Sequence, residues 1–284
     1  MKQGRDKSRE NVVLAYSGSL ATSAAIRWIS EKYAADVVTL TLDLGAGGEL
    51  QEVHERALAI GAVRAHVIDV REAFADGYLL PALQAGARRA GPLHGGGDTL
   101  EALARPLVVQ KLMEIAGIER AAAVAHGGAP DSGIEALIRA VDPAMKIIAP
   151  LAPGGSNGPA LRDVAEYAHR WNIVVPAAAA RKAASTAADH GADVEMTFDR
   201  DVPVAINGVP MSLTELIESL TVIATQHGIS GADDFAGAPA IEVLQAAFNA
   251  RVRDDATCIV RLKLQHGLIT AATVPSSEFA APRS

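Results

Sequence analysis

Hydrophobic positions in this chain switch between two periods. Val12, Val13, Leu14 and Ala15 form a continuous apolar run that breaks at Ser17-Gly18-Ser19. Ile26, Ile29 and Tyr33 then recur at helical spacing, with Ala25 and Trp28 beside them. That pattern predicts a buried strand, a tight turn and a helix. The alternation continues with strands over 36–44, 65–70, 121–125 and 146–149. Helices are expected over 49–60, 72–89, 98–116, 133–140 and 159–171, the first with Leu50, Val53, Ala57 and Ile60 on one face and a stop at Gly61. Strands alternating with helices predict a doubly wound α/β domain with a mainly parallel sheet over residues 1–176. In such folds a ligand lies beyond the carboxyl ends of the strands, at a topological switch point. The loops at 17–22, 43–49 and 126–132 all follow strands.

Residues 177–192 are Ala-rich and mark a composition break. Beyond them the period becomes two, over 194–198 and 202–206, ending at the turn dipeptide Asn207-Gly208. Ser212 followed by Glu215 is a capping box for a helix carrying Leu213, Leu216, Ile217, Leu220 and Ile223 to Gly228. An acidic linker over 231–239, a helix near 240–252 and a hairpin over 257–274, turned at His266-Gly267, complete a second, smaller α+β domain over 177–284.

Composition narrows the function. Hydrophobic residues make up 49% and aromatics 4%, so the cores are built from Ala, Val, Leu and Ile. A net charge of −7 with no basic block argues against nucleic acid as a partner. Cys258 is the single cysteine, which rules out an internal disulfide and fits a reducing compartment. One cysteine and eight scattered histidines offer neither a zinc site nor an iron–sulfur cluster. Residues 1–10 hold no apolar stretch of signal-peptide length, and no run of about 18 apolar residues occurs, so no membrane partner is expected. These features predict a soluble, cytoplasmic protein.

The turn after the first strand is where chemistry is expected. Unpaired backbone N–H groups and the positive end of a helix dipole meet there, which suits an anion such as phosphate. It is not a Walker loop, since no Gly-Lys-Ser or Gly-Lys-Thr occurs, nor a dinucleotide fingerprint, since only Gly18 is available. It resembles the pyrophosphatase loop S-G-G-x-D-[ST]-S of ATP-splitting, AMP-forming enzymes. Ser17, Gly18, Thr22 and Ser23 match, whereas Ser19 replaces the second Gly and Ala21 the Asp. An ordinary strand–turn–helix, with Ser17 and Thr22 as helix caps, fits the same residues.

Several stretches together resemble argininosuccinate synthase, a member of that loop group. They include VVLAYSGSLATS, VVTLTLDLGAGGELQEVHERALAIGA, AHVIDVREAFADGYLLPALQAGA, LEALARPLVVQKLMEIA, VPVAINGVPMSLTELIESLTVIATQHG and VRLKLQHG, in the family's order. The resemblance implies an adenine nucleotide alpha hydrolase-like domain over 1–176 and a truncated synthetase and multimerisation domain over 177–284. It implies ATP with Mg²⁺ as cofactor in amino-acid metabolism, where the family adenylates citrulline and joins it to aspartate. Carried over residue by residue, the nucleotide contacts are Ala15, Tyr16, Ser17, Gly18, Ser19, Thr22, Ser23, Leu42 and Gly127. Asp43 is the candidate Mg²⁺ ligand at a strand end.

The departures fall on the chemistry. Ala21 offers no oxygen to a metal or to a phosphate-bound water. The family's citrulline-contacting Tyr falls at Arg89, and a longer Gly-rich loop follows Gly91. The run H-G-x-T-G-K-G-N-D-Q-x-R-F-E reads His126-Gly127-Gly128-Ala129-Pro130-Asp131-Ser132-Gly133-Ile134-Glu135-Ala136-Leu137. Its Thr, Lys, Asn, Asp and Arg are Ala129, Asp131, Gly133, Ile134 and Leu137. The later S-x-D-x-N-L-W-G-R-S block and a segment after Gly228 are missing. Ordinary argininosuccinate synthesis is therefore not expected, because nothing remains to pair the α-carboxylates and ammonium groups of the substrates.

Arg89, with Arg88 beside it, and Asp131 are candidate contacts for a different small ligand. Asp98, Asp131 and Glu135 are candidate replacements for the lost carboxylate. His126 is expected to satisfy its hydrogen bonds at a strand end, and Cys258 to lie in the core. No residue is assigned as catalytic. Two functions follow. One is a nucleotide- or metabolite-binding pseudoenzyme, in a homodimer or a hetero-oligomer; the other is a repurposed AMP-forming ligase acting on another amino-acid-like substrate.

Overall fold

Five short strands form the parallel sheet that carries the first unit, in the order β3-β2-β1-β4-β5. They are β1 (Asn11–Ala15), β2 (Asp36–Asp43), β3 (Arg64–Asp69), β4 (Ala123–Ala125) and β5 (Lys146–Ile148). The computed structural model describes residues 9–45, 50–89, 100–128, 133–151, 163–175, 191–229, 237–251 and 257–274. By backbone contacts the chain divides into two units, 1–43 with 49–69 and 104–177, and 44–48 with 70–103 and 178–284. Residues 70–103 thus group with the second unit, across the linear boundary read at 176.

The two-residue period of a strand explains why β1 is buried on both faces. Val12 and Leu14 pack on one side with Ile26 and Ile29 of α1 (Leu20–Tyr33) and Ala57 of α2 (Leu50–Ile60). Val13 points to the other side, with Leu112 and Ile115 of α5 (Leu100–Ile118) and Ile138 of α6 (Ile134–Val141). Helices therefore cover both faces, as the alternating pattern predicted. α7 (Val164–Arg170) packs on α1 through Ala168 and Ala24.

At the amino end of the sheet, Glu119 ties two residues of edge strand β3. Its carboxylate accepts from Arg64 at both oxygens, one contact at 3.0 Å, and lies 2.8 Å from His66 Nε2. The Arg64 guanidinium holds the Glu119 carboxyl below the usual carboxylate range.

The second unit is built on an antiparallel sheet, β10-β9-β6-β7-β8. Its strands are β6 (Ala192–Asp199), β7 (Val202–Ile206), β8 (Val209–Pro210), β9 (Thr257–Gln265) and β10 (Leu268–Val274). Both hairpin turns were legible: Asn207 and Gly208 adopt φ 49° and 76°, His266 and Gly267 φ 52° and 77°. These left-handed pairs match the twist of two-residue hairpins. The capping box is present, with Ser212 N–H donating to Glu215 Oε2 at 2.7 Å at the start of α8 (Leu213–Gln226). α9 (Ala238–Ala250) begins within the expected linker, with Pro239 in its first turn.

The helix expected over 72–89 is α3 (Arg71–Phe74), a π-helical stretch at Ala75–Leu79, and α4 (Leu80–Arg89). Among the described residues no helix is long and apolar enough to cross a membrane. Most of the Ala-rich break, most of the linker and the loop after Gly91 lie outside the described residues.

Candidate functional site

The strand order reverses direction at β1, between β2 and β4, so the loops after β1 and β4 leave the sheet side by side. Tyr16 extends β1 by one residue. Its N–H donates to Leu40 O at 2.8 Å, and its carbonyl accepts from Thr41 Oγ1 at 3.0 Å. The Tyr16 hydroxyl and Ser23 Oγ share a hydrogen bond of 3.0 Å inside the protein. Ser23 therefore serves the core, and the mouth of the loop is lined by other hydroxyls.

Those hydroxyls are Ser17, Ser19 and Thr22, which form a triangle. Ser17 Oγ lies 3.1 Å from Ser19 Oγ and 3.2 Å from Thr22 Oγ1, and the last two are 3.1 Å apart. Gly18 between them adopts φ +79°, a conformation that favours glycine. Ser19 is the N-cap of α1, with its Oγ accepting from Thr22 N–H at 3.3 Å. The N–H groups of Leu20 and Ala21 have no helical partner, as the geometry of a helix start dictates. Three hydroxyls and a helix N-terminus thus meet at one point, a donor set suited to an anion.

Gly127 closes this point from β4. A Cβ there would stand 2.9 Å from Thr22 Cγ2, so only glycine fits so near the start of α1. His126 beside it is buried. Its Nδ1 accepts from Gly128 N–H at 3.2 Å, which leaves the proton of a neutral ring on Nε2. Nε2 is itself buried, and among the described residues it has no hydrogen-bond partner. The described residues thus satisfy one of the two ring nitrogens expected to be bonded at this strand end. Burial pushes its pKa down, against the opposing pull of Glu135.

Ala15 and Leu42 are half-buried against the core on the α5 side of the sheet. Asp43 ends β2 in register with Asp69 of β3, while among the described residues no group of three or more His, Cys, Asp or Glu comes together to hold a metal. Arg89 ends α4 in the second unit, and its side chain lies outside the description, as do that of Arg88 and all of Asp98 and Asp131. Cys258 is buried, as expected.

One residue at the loop was missed. Arg56 of α2 donates from Nη1 to Gly18 O at 3.1 Å. Its signal was its place three residues after Val53, on the same helix face; Val53 packs directly under Gly18.

Residues 11–174 match the family described as "Arginosuccinate synthase N-terminal HUP domain". Curated relatives named argininosuccinate synthase include one from Streptococcus thermophilus (strain ATCC BAA-491 / LMD-9), 34% identical over 80% of this chain and 64% of its own length. Another, from Geobacillus sp. (strain WCH70), is 38% identical over 78% of this chain and 62% of its own. The chain thus spans less than two thirds of the length of these relatives. A solved structure described as a predicted subunit of tRNA methyltransferase from Methanocaldococcus jannaschii aligns at a TM-score of 0.34 and 19% identity, covering 51% of this chain and 70% of its own. That likeness is too slight to bear on function. The family match covers the loop, the switch point and every strand of the parallel sheet, and by it the chain belongs to the argininosuccinate synthase family.

Proposed function

We propose that this chain binds the phosphates of an adenine nucleotide at the start of α1 and does not make argininosuccinate. The observation that carries the reading is the hydroxyl triangle of Ser17, Ser19 and Thr22, seated at a helix N-terminus against Gly127. The Ser17 and Thr22 hydroxyls and the amide donors there suit phosphate oxygens, while Ser19 Oγ bonds to them in the free loop and is displaced by the ligand. Tyr16 and Gly18 shape the loop, Gly127 allows close approach of the ligand's backbone-facing side, and Leu42 borders the adenosine end. The residues present fit a nucleotide better than they fit its metal. Ala21 supplies no oxygen where the family's loop has Asp, which leaves Asp43 as the candidate carboxylate for Mg²⁺.

Loss of the substrate run after Gly127 supports a binding role without the family's synthesis. Calorimetric titration tests this. Saturable heat is expected with ATP, with little dependence on Mg²⁺. No release of pyrophosphate is expected when citrulline and aspartate are supplied. Absence of heat with ATP, AMP and pyrophosphate would sink the nucleotide reading.

A second reading, an AMP-forming ligase with another acceptor, draws on the Nε2–H of His126 beside Gly127, which has no partner among the described residues. A buried donor without a partner is unfavourable unless something accepts from it. Pyrophosphate release with an amino-acid-like acceptor would favour this reading over the first.

A further inference from the structure

We infer that Arg56 is a positioning residue that sets the anion-facing orientation of the peptide between Gly18 and Ser19. The inference rests on the nucleotide reading above. The Arg56 guanidinium, with its side chain 17% exposed, donates from Nη1 to Gly18 O at 3.1 Å, and its Nη2 lies 3.9 Å from Glu52 Oε2. It is therefore a charge held against the underside of the loop rather than a solvated one.

A trans peptide points its C=O and N–H in opposite directions, and none of the described peptides is cis. With the Gly18 carbonyl held by Arg56, the Ser19 N–H must face the other way. It does so, with Ser17 Oγ at 3.4 Å. That is the side on which the Ser17, Ser19 and Thr22 hydroxyls converge. The opposite orientation would turn a carbonyl oxygen toward the bound anion.

Reversal of this peptide would rotate ψ of Gly18, which lacks a Cβ to restrict it, together with φ of Ser19, which stands at −68°. On the α2 side a Cβ would meet Val53 Cγ2 at 3.2 Å, Val53 Cγ1 at 3.3 Å and Arg56 Nη1 at 3.4 Å. Packing by Val53 limits how far the loop sinks, but it cannot choose which end of the peptide points up. The Arg56 hydrogen bond makes that choice together with the φ of −68° that Ser19 holds as the N-cap of α1. The positive charge of Arg56 also favours an anion across the loop, so orientation and charge act in the same direction.

The test compares the intact protein with Arg56→Met and Arg56→Lys by calorimetric titration with ATP, inorganic pyrophosphate and adenosine. Arg56→Met should weaken ATP and pyrophosphate by about tenfold, the loss of one charge-assisted hydrogen bond, and leave adenosine within about twofold. Arg56→Lys, which keeps a donor and the charge, should recover part of the pyrophosphate affinity. The Ser19 amide resonance should move in Arg56→Met and return toward its original position in Arg56→Lys.

Equal losses for adenosine and pyrophosphate would show general loosening and overturn the inference, as would no loss in a wild type that binds ATP. If the wild type takes up neither ATP nor pyrophosphate, the nucleotide reading falls and this inference with it. Should Arg56→Met fail to fold, Arg56→Lys carries the comparison. A loss confined to phosphate ligands then supports the inference, and unchanged binding overturns it.

Discussion

Gly127 lies so close to Thr22 that a Cβ on the glycine would stand 2.9 Å from Thr22 Cγ2. The conflict is one of space, because Gly127 is not among the residues with positive φ. Gly127→Ala should therefore lower stability by about 1–3 kcal/mol through overpacking. Adding Thr22→Ser deletes the offending methyl and keeps the hydroxyl. The double variant should regain much of the lost stability in thermal unfolding, a coupling that independent sites do not show. A simple sum of the two single effects would refute the contact.

Glu119 yields a pH prediction. The hydrogen bonds of Arg64 and then His66 depress the folded-state pKa of its carboxyl, so the folded state favours the charged form. The stability that Glu119 contributes is therefore present above its unfolded pKa of about 4.3 and lost as pH falls through the lower folded value. Glu119→Gln should destabilise by about 1 kcal/mol at neutral pH, a modest figure because Arg64 is half exposed. Denaturant midpoints measured from pH 7 to pH 3 should show wild type and variant converging in acid. A gap that persists unchanged at pH 3 would mean packing, not charge, ties β3 to Glu119.

Burial acts on His126 in the opposite chemical sense but along the same axis. Its folded-state pKa is lowered, so the unfolded chain binds a proton more readily than the folded one. Stability is complete above the unfolded value of about 6.5 and declines as pH falls below it. Measured as the difference between wild type and His126→Asn, which cannot titrate there, the wild-type advantage should shrink on going from pH 7.5 toward pH 5. A flat difference would show that the ring is accessible to water. ATP should make the wild type less acid-sensitive if the nucleotide sits over the Nε2–H.

The fold was legible because its signals are local. Val12, Val13 and Leu14 make an apolar run, and such a run suits a strand covered on both faces, as β1 is. Asn207-Gly208, His266-Gly267 and the Ser212–Glu215 box each specify their own backbone geometry within four residues. The π-helical stretch at Ala75–Leu79 left no mark, since an apolar pattern spaced for an α-helix tolerates one wide turn. β8, two residues long, is too short to show a period.

The site was legible only where a motif fixes it. Ser17, Gly18 and Thr22 were found together from the loop pattern, whereas Arg56 reaches a carbonyl 38 positions earlier in the chain. Its i, i+3 place beside Val53 puts Arg56 on the right helix face, but no spacing rule names the carbonyl it reaches. Ser23, grouped with the loop by sequence, turns inward because its helical phase places it against Tyr16.

Ser19 and Ala21 offer a direct test of what the loop has lost. Ser19 Oγ occupies the Thr22 N–H and draws in the Ser17 and Thr22 hydroxyls, so the loop satisfies itself. A ligand phosphate must displace those bonds before it gains its own. Ser19→Gly removes the competitor at a cost of only a few tenths of a kcal/mol, because glycine is a tolerable N-cap. ATP affinity should then rise by about fivefold, roughly 1 kcal/mol of released competition. Weaker binding would instead identify the Ser19 hydroxyl as a phosphate donor in its own right. Ala21→Asp on that background supplies a hard carboxylate oxygen at the start of α1, and ATP binding should become Mg²⁺-dependent. Titrations in Mg²⁺ and in chelator distinguish the cases. Enhanced binding only with Mg²⁺ would locate the metal beside residue 21, whereas equal binding in both would place any metal elsewhere, with Asp43 the first carboxylate to substitute.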